Sequence, residues 1–137
     1  MAGHSFHPLT SPVWLPLWIA LGAIPGALSR HYLLTWCSRR WGDTFPWGTV
    51  VVNLSGSVLL GSCAAALGSG PPWVAALVAM GFISSYTTFS TYVLEMSLLY
   101  HRKHYGRLLV YGLGSSLAGF LGVELGLALG GGLVSHR

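Results

Sequence analysis

The chain has 137 residues, of which 53% are hydrophobic and only 7% are charged, and its mean hydropathy is +0.61. Soluble domains carry about a quarter charged residues, so this composition excludes a large soluble domain, a multidomain enzyme and a nucleic-acid-binding protein, despite a net charge of +4. A membrane-spanning helix needs about 20 mostly apolar residues, and the length suits four such helices with short connections.

Four apolar runs follow a polar N-terminal tail, residues 1–12. The tail has no Lys or Arg, which a secretory signal requires, so we expect the first run to be retained as a membrane span. Two polar connections and one turn rich in Gly and Pro separate the runs. The predicted spans are about 13–35, 48–67, 73–100 and 108–134, which together form a single transmembrane domain, 13–134.

The third run is interrupted at residues 83–91, where seven of nine side chains carry a hydroxyl group. Hydroxyl side chains bond to helix carbonyls and bend helices. Non-helical backbone at membrane depth is tolerated only where it is buried in protein or lines a cavity. The run therefore predicts a third helix broken near mid-membrane. Carbonyls freed by such a break are ligands for a hard cation such as Na⁺.

The fourth run repeats glycine at every fourth position, at Gly122, Gly126 and Gly130. Small residues at this spacing let two membrane helices approach closely. We therefore expect this stripe to pack against another helix.

Basic residues are distributed unevenly between the two sides of the predicted membrane domain. If the spans alternate in direction, one side carries five and the other carries one. The five are Arg39, Arg40, Arg102, Lys103 and Arg107, and the one is Arg137. Basic residues favour the cytoplasmic side, so the count predicts that both termini lie outside the cytoplasm.

Three of the polar residues within the predicted spans are candidate functional residues, because lipid penalises such side chains unless they face protein or water. Arg30 either extends its head to the lipid headgroups or places a fixed positive charge in an aqueous vestibule. Asn53 either makes a hydrogen bond between helices or offers N–H donors to a passing anion. Glu95 either bonds to Arg30 or to a hydroxyl group, or it is a functional carboxylate.

Two further pairs have helical spacing. Phe89 and Tyr92 are three residues apart and share a helix face. Such a pair is usually part of a core, but the positive ring edges also suit a small anion. Tyr111 and Ser115 are four residues apart and are expected to face one groove.

With these residues identified, the chain resembles the CrcB/Fluc family of fluoride channels. Three motifs carry the resemblance: GAIPGALSRHYL at residues 22–33, GTVVVNLSGS at 48–57 and GFISSYTTFSTYVLE at 81–95. With the four-span layout, the resemblance covers about residues 17–132.

The resemblance implies an all-α membrane protein that forms an antiparallel dimer, with two fluoride pathways along the subunit interface. It implies a passive fluoride-selective channel rather than an enzyme, which exports fluoride across the plasma membrane and reduces its toxicity in the cytoplasm. It also implies a central structural Na⁺, held by the backbone carbonyls of Ser84 and Thr87, and no organic cofactor or nucleic-acid partner. Arg30 corresponds to a vestibule arginine. The implied pathway residues are Asn53, Phe89, Ser90, Thr91, Tyr92, Glu95, Tyr111 and Ser115.

The sequence departs from the family pattern at the break and in its charge. Ser84 and Ser85 replace a Gly-Gly pair, and Tyr92 replaces a second Phe. A homodimer that inserts in both orientations needs an even distribution of basic residues, whereas this chain is biased.

The alternative to a conducting homodimer is a half-active or non-conducting subunit that pairs with an oppositely oriented homologue. A small dual-topology multidrug exporter is less favoured, because it needs a carboxylate in the first span, which here carries Arg30 and no acid.

Overall fold

The structure is a computed structural model that describes residues 13–67 and 70–135, with side chains as far as residue 131. All regular secondary structure in these residues is helical, which confirms the all-α prediction. The tail at residues 1–12 and Arg137 lie outside the described residues. The helices are α1 (Leu15–Trp41), α2 (Trp47–Leu67), α3, α4 (Phe89–His101) and α5 (Tyr105–Ser135). Helix α3 comprises Pro72–Ala75, a π-helical stretch Ala76–Ile83 and a last turn Ser84–Tyr86.

Helix α1 extends beyond the predicted first span, which ends at about residue 35, and terminates at Trp41. Gly42 follows with a φ of 72°, a conformation that glycine adopts without strain. Arg39 and Arg40 occupy the last turn, where positive charge interacts favourably with the helix dipole. The connection to α2 therefore comprises residues 42–46. It is much shorter than the connection of residues 36–47 that the predicted spans leave between them.

Three helical segments of the described chain are long and apolar enough to cross a membrane. They are Trp47–Leu67, Pro72–His101 and Tyr105–Gly131, which coincide with the second, third and fourth predicted spans. Helix α1 has 27 residues but is not among these three. Membrane-spanning helices are thus supported for three of the four predicted spans.

The third apolar segment is interrupted between α3 and α4. Thr87 and Thr88 are extended, with ψ angles of 160° and 121°. Thr88 then caps the N-terminus of α4, because its side chain accepts a hydrogen bond from the Thr91 N–H. The break also packs closely on α2, where a Cβ at Gly56 would collide with the Thr87 side chain. The break falls within the hydroxyl-rich residues 83–91.

Glycine-lined contacts join the helices in two pairs. Helix α5 packs on α2, and a Cβ at Gly126 would meet the backbone of Val58 and Gly61. Helix α1 packs on α3, and a Cβ at Gly22 or Gly26 would collide with the α3 backbone. The predicted packing role of the glycine stripe in the fourth run is confirmed. The polar break lies where these pairs meet.

Candidate ion pathway at the helix break

Asn53 on α2 holds the break through two hydrogen bonds to one residue. Its Nδ2 donates to the Thr88 carbonyl at 2.9 Å, and the Thr88 N–H donates to Oδ1 at 2.8 Å. The Asn53 amide therefore bonds to both the N–H and the carbonyl of Thr88, which have no partners within a helix. An amide nitrogen carries two hydrogens, so the second N–H of Asn53 remains for another acceptor.

Arg30 on α1 also binds the break. Its Nη1 donates to the Thr87 carbonyl at 3.2 Å, and the side chain is half-buried. The guanidinium thus bonds to protein at the end of α3, and it approaches the carbonyl that the family resemblance assigns to Na⁺.

Glu95 on α4 accepts hydrogen bonds from two hydroxyl groups. Thr49 donates to Oε1 at 3.0 Å, and Tyr111 donates to Oε2 at 2.6 Å. Both donors are buried, at 1% and 0% exposure. Of the alternatives that the sequence leaves open, the structure pairs Glu95 with hydroxyl groups rather than with Arg30. Thr49 was missed by the sequence reasoning, although it stands in the GTVVVNLSGS motif beside Asn53.

A row of hydroxyl groups runs from Thr88, which Asn53 holds, to Thr91, which lines the same cavity as the Glu95 carboxylate. The Thr88 hydroxyl donates to Thr91 Oγ1 at 3.0 Å and lies 3.4 Å from the Ser90 hydroxyl. Thr91 accepts this bond, so its own hydroxyl hydrogen remains available to another acceptor. Thr88 is buried and Ser90 is exposed. The sequence reasoning did not single out Thr88. A threonine directly before the first residue of a helix, here α4, is typical of an N-cap.

The aromatic pair differs in environment between its two members. Phe89 is 76% exposed, and its ring centroid is 5.9 Å from that of Tyr92. The Tyr92 hydroxyl donates to the Gly112 carbonyl on α5 at 2.8 Å and lies 3.3 Å from the Ser116 hydroxyl. The extra hydroxyl of Tyr92 is therefore directed to the α5 backbone, away from Phe89. Ser116 is a partner that the sequence reasoning did not identify.

Tyr111 and Ser115 both lie on the inner side of α5. The Tyr111 ring is 5.1 Å from that of Tyr92, which places it between Tyr92 and Glu95. The Ser115 Oγ is buried and has no hydrogen-bond partner among the described residues. A buried hydroxyl without a partner is uncommon in proteins, so Ser115 retains a donor for a ligand.

Two cavities lie at the ends of the hydroxyl row. A shallow depression of about 300 Å³ at the break is lined by Asn53, Ser84, Thr87, Thr88 and Phe89, among others. A larger cavity of about 660 Å³ has Thr91 and Glu95 in its wall. Its basic wall residues are Arg102, His104 and Arg107. Polar side chains thus connect a depression on the surface with a cavity at the basic end of the molecule.

The side chains of the described residues form no cluster of three or more His, Cys, Asp or Glu that would ligate a metal. The backbone offers a different donor set. Ser84 and Thr87 both line the depression, at the C-terminal end of α3. Terminal carbonyls of a helix lack partners within the helix and carry the negative end of its dipole. These hard oxygen donors fit a cation such as Na⁺, although Arg30 already bonds to one of them.

Comparison with known proteins supplies independent information. A family model described as CrcB-like protein, Camphor Resistance (CrcB), matches residues 17–127. The chain is 45% identical over 118 residues to the "Fluoride-specific ion channel FluC" of Synechococcus sp. (strain JA-2-3B'a(2-13)), covering 84% of this chain and 91% of that protein. It is 44% identical to the protein of the same name from Synechocystis sp., covering 81% and 88%. It is 40% identical to "Fluoride-specific ion channel FluC 2" of Moorella thermoacetica, covering 85% and 97%.

Proposed function

The chain belongs to the CrcB family, and from this premise we propose that it is a passive, fluoride-selective channel of the plasma membrane. The names of relatives that match more than four fifths of the chain support this activity. The observation that carries the proposal is the row of hydroxyl and amide groups that joins the depression at the break to the cavity beside Glu95.

Fluoride is small and strongly hydrated, so a pore must replace its water with hydrogen-bond donors. Donors remain on Asn53, Thr91 and Ser115 after the bonds within the protein are counted. The exposed Phe89 ring adds a positive edge. Several weak sites in series let an ion enter and leave, which suits conduction rather than tight binding.

The direction of net transport follows from the membrane potential. An inside-negative potential drives an anion outward with about 2.3 kcal/mol per 100 mV for each charge. The sequence contains no G-x-x-x-x-G-K-[ST] motif for a nucleotide. Fluoride that enters cells as neutral HF is therefore exported without an energy source other than the potential.

The proposal includes an antiparallel dimer with Na⁺ at its centre. One chain offers two carbonyls, those of Ser84 and Thr87, whereas hard cations take about six oxygen ligands. A second, inverted copy doubles the number of carbonyls. Bound Na⁺ would supply positive charge between the C-terminal ends of two α3 helices. Arg30 takes one lone pair of the Thr87 carbonyl and leaves the second for the ion.

A second candidate is a half-active or non-conducting subunit of a heterodimer. The charge bias of five basic residues against one supports it, because a chain with one fixed orientation needs an oppositely oriented partner to form an antiparallel dimer. The multidrug exporter is not favoured, because the only acids in the described residues are Asp43, Glu95 and Glu124, all outside α1.

The test is anion efflux from liposomes that contain the purified chain alone, measured with a fluoride or a chloride electrode after a potassium ionophore is added. We expect rapid efflux of fluoride and none of chloride. Phe89→Ile should reduce fluoride efflux about tenfold or more, because it removes the ring edge. Phe120→Ile is the matched control, since Phe120 is 63% exposed on α5, and it should leave efflux unchanged.

The outcomes separate the candidates. Efflux from the chain alone supports a conducting homodimer. Efflux only after co-reconstitution with a homologue of opposite charge bias supports the heterodimer. An absence of efflux in both cases would refute fluoride conduction.

A further inference from the structure

We propose that Phe45, in the connection between α1 and α2, is a positioning residue of the ion pathway that fixes the Tyr111 ring so that its hydroxyl donates to Glu95. This inference rests on the proposed function, because only in a fluoride channel does the family resemblance place Tyr111 and Glu95 on the ion pathway. Phe45 lies outside every predicted span and outside the motifs that carry the family resemblance.

The Phe45 ring meets the Tyr111 ring edge-on. The centroids are 5.7 Å apart, and the ring planes cross at 84°. Edge-to-face pairs of this kind are attractive beyond the area that they bury and favour one relative orientation. Tyr111 is fully buried, and its hydroxyl is 2.6 Å from Glu95 Oε2. The orientation of this one ring therefore decides whether Glu95 keeps its shorter hydrogen bond.

The Tyr111 ring contacts two other rings. The Tyr92 centroid lies at 5.1 Å and the Phe45 centroid at 5.7 Å. Tyr92 is itself anchored by its bond to the Gly112 carbonyl. With Phe89 at 5.9 Å from Tyr92, four rings form a continuous row from the helix break to the connection. Phe45 is the last ring of this row, on the cavity side.

The connection that carries Phe45 is itself held in place. The Arg107 guanidinium donates to the Thr44 carbonyl at 3.1 Å, and the Ser38 hydroxyl donates to Asp43. The Trp47 ring packs against Phe45 with centroids 4.7 Å apart. Contacts on both sides of Phe45 thus fix the position from which it contacts Tyr111.

Removal of the Phe45 ring would open space beside Tyr111. Phe45, Thr49 and Glu95 all line the cavity of about 660 Å³, so the space vacated by the ring would join this cavity. Tyr111 would then have room to turn, and Glu95 would keep only the Thr49 hydroxyl as a donor. A carboxylate that loses a hydrogen-bond donor keeps more of its negative charge, and this charge repels an anion in the adjoining row. Fluoride flux should therefore fall.

The experiment is a double-mutant cycle on fluoride efflux from liposomes. We expect Phe45→Leu to lower flux about tenfold and Phe45→Tyr, which keeps the ring, to stay within about twofold of the wild type. If Phe45 acts through the Tyr111 hydroxyl, Phe45→Leu should have little further effect in a Tyr111→Phe background. Trp36→Leu is the control, because the Trp36 ring contacts Trp41 rather than Phe45, Trp47 or Tyr111.

Multiplicative effects of Phe45→Leu and Tyr111→Phe would overturn the proposal, and so would an equal loss in Phe45→Tyr and Phe45→Leu. A second measurement is independent of conduction: a fluorinated tyrosine at position 111 should change its ¹⁹F shift in Phe45→Leu and in Phe45→Met, but not in Trp36→Leu. An unchanged shift in both Phe45 variants refutes the inference. A shifted resonance in a chain that conducts no fluoride refutes the proposed function and leaves the positioning role supported.

Discussion

Asn53 shows how one side chain stabilises a break that would otherwise be costly. Two extended residues inside an apolar segment leave backbone groups without helical partners, and an unpaired backbone group in an apolar environment costs free energy comparable to a lost hydrogen bond. Asn53 supplies one donor and one acceptor to Thr88, and Arg30 supplies a donor to Thr87. Arg30 and Asn53, two of the polar residues that the sequence marks as exceptional in the spans, are therefore the residues that make the break possible.

Asn53→Asp tests the donor half of this pair. At neutral pH a carboxylate still accepts from the Thr88 N–H, but it presents an oxygen to the Thr88 carbonyl where the amide donated. We expect a loss of about 1–3 kcal/mol in stability, measured as a lower midpoint of thermal unfolding in detergent. A protonated carboxyl group regains one donor, so the deficit relative to the wild type should shrink toward about pH 4.

Asn53→Ala is the comparison variant for this prediction. It removes both hydrogen bonds and has no group to protonate, so its deficit should stay constant over the same pH range. A deficit of Asn53→Asp that is equally independent of pH would contradict the assigned pairing.

The sequence identified the polar residues of the candidate site better than it identified their partners. Asn53 and Glu95 are conspicuous because an amide or a carboxylate is rare in an apolar run. Thr49 and Thr88 are not conspicuous, because threonine is common in membrane helices and its role depends on which side chain lies opposite. Phe45 was missed for a related reason: it belongs to a connection, and only the folded chain brings it to Tyr111.

At the scale of helices, the pairing of α2 with α5 depends on glycine. A Cβ at Gly126 would collide with the Val58 carbonyl and would lie 2.8 Å from the Ser62 nitrogen. Membrane helices gain little from the hydrophobic effect when they associate, so close van der Waals contact carries much of the stability. Gly114 lies on the same helix and would meet no atom within 4 Å.

These two glycines give a matched pair of substitutions. Gly126→Ala forces the two helices apart and should destabilise the protein by about 1–3 kcal/mol, as expected for overpacking of a tight contact. Gly114→Ala fills open space and gains helix propensity, so it should be neutral or stabilising by up to about 1 kcal/mol. Thermal unfolding of both variants in the same detergent measures the difference. An equal destabilisation by the two substitutions would mean that the stripe does not determine the helix contact.

The elements were predictable where a chemical pattern marks them. The density of hydroxyl groups predicted an interruption of the third run, and the spacing of small residues predicted the close contact of α5. The end of α1 at Trp41 was not predicted, because hydropathy reports which residues suit lipid rather than where a helix stops. The π-helical stretch Ala76–Ile83 was not predicted either, since a shift in hydrogen-bond register leaves no mark in an apolar sequence.

At the scale of the whole molecule, the basic residues collect at one end. The connection between α1 and α2 and the connection between α4 and α5 line the same cavity, and Arg107 bonds directly to Thr44. The five basic residues counted on one side of the membrane belong to the last turn of α1, to the connection between α4 and α5 and to the first turn of α5. Because basic residues favour the cytoplasmic side, we predict insertion in a single orientation with the basic cavity facing the cytoplasm.

Cysteine accessibility in intact cells tests that orientation. In a Cys37→Ser, Cys63→Ser background, a Gly70→Cys variant should react with a membrane-impermeant maleimide added outside, whereas Lys103→Cys should react only after permeabilisation. Gly70 and Lys103 are both exposed and belong to opposite connections. Together with Lys103→Cys, replacing Arg39, Arg40 and Arg102 by Gln removes four of the five basic residues, which should bring part of the Lys103→Cys population to the outside. Equal labelling of Gly70→Cys and Lys103→Cys before the three arginines are replaced would show dual insertion, and a homodimer would then need no oppositely oriented partner protein.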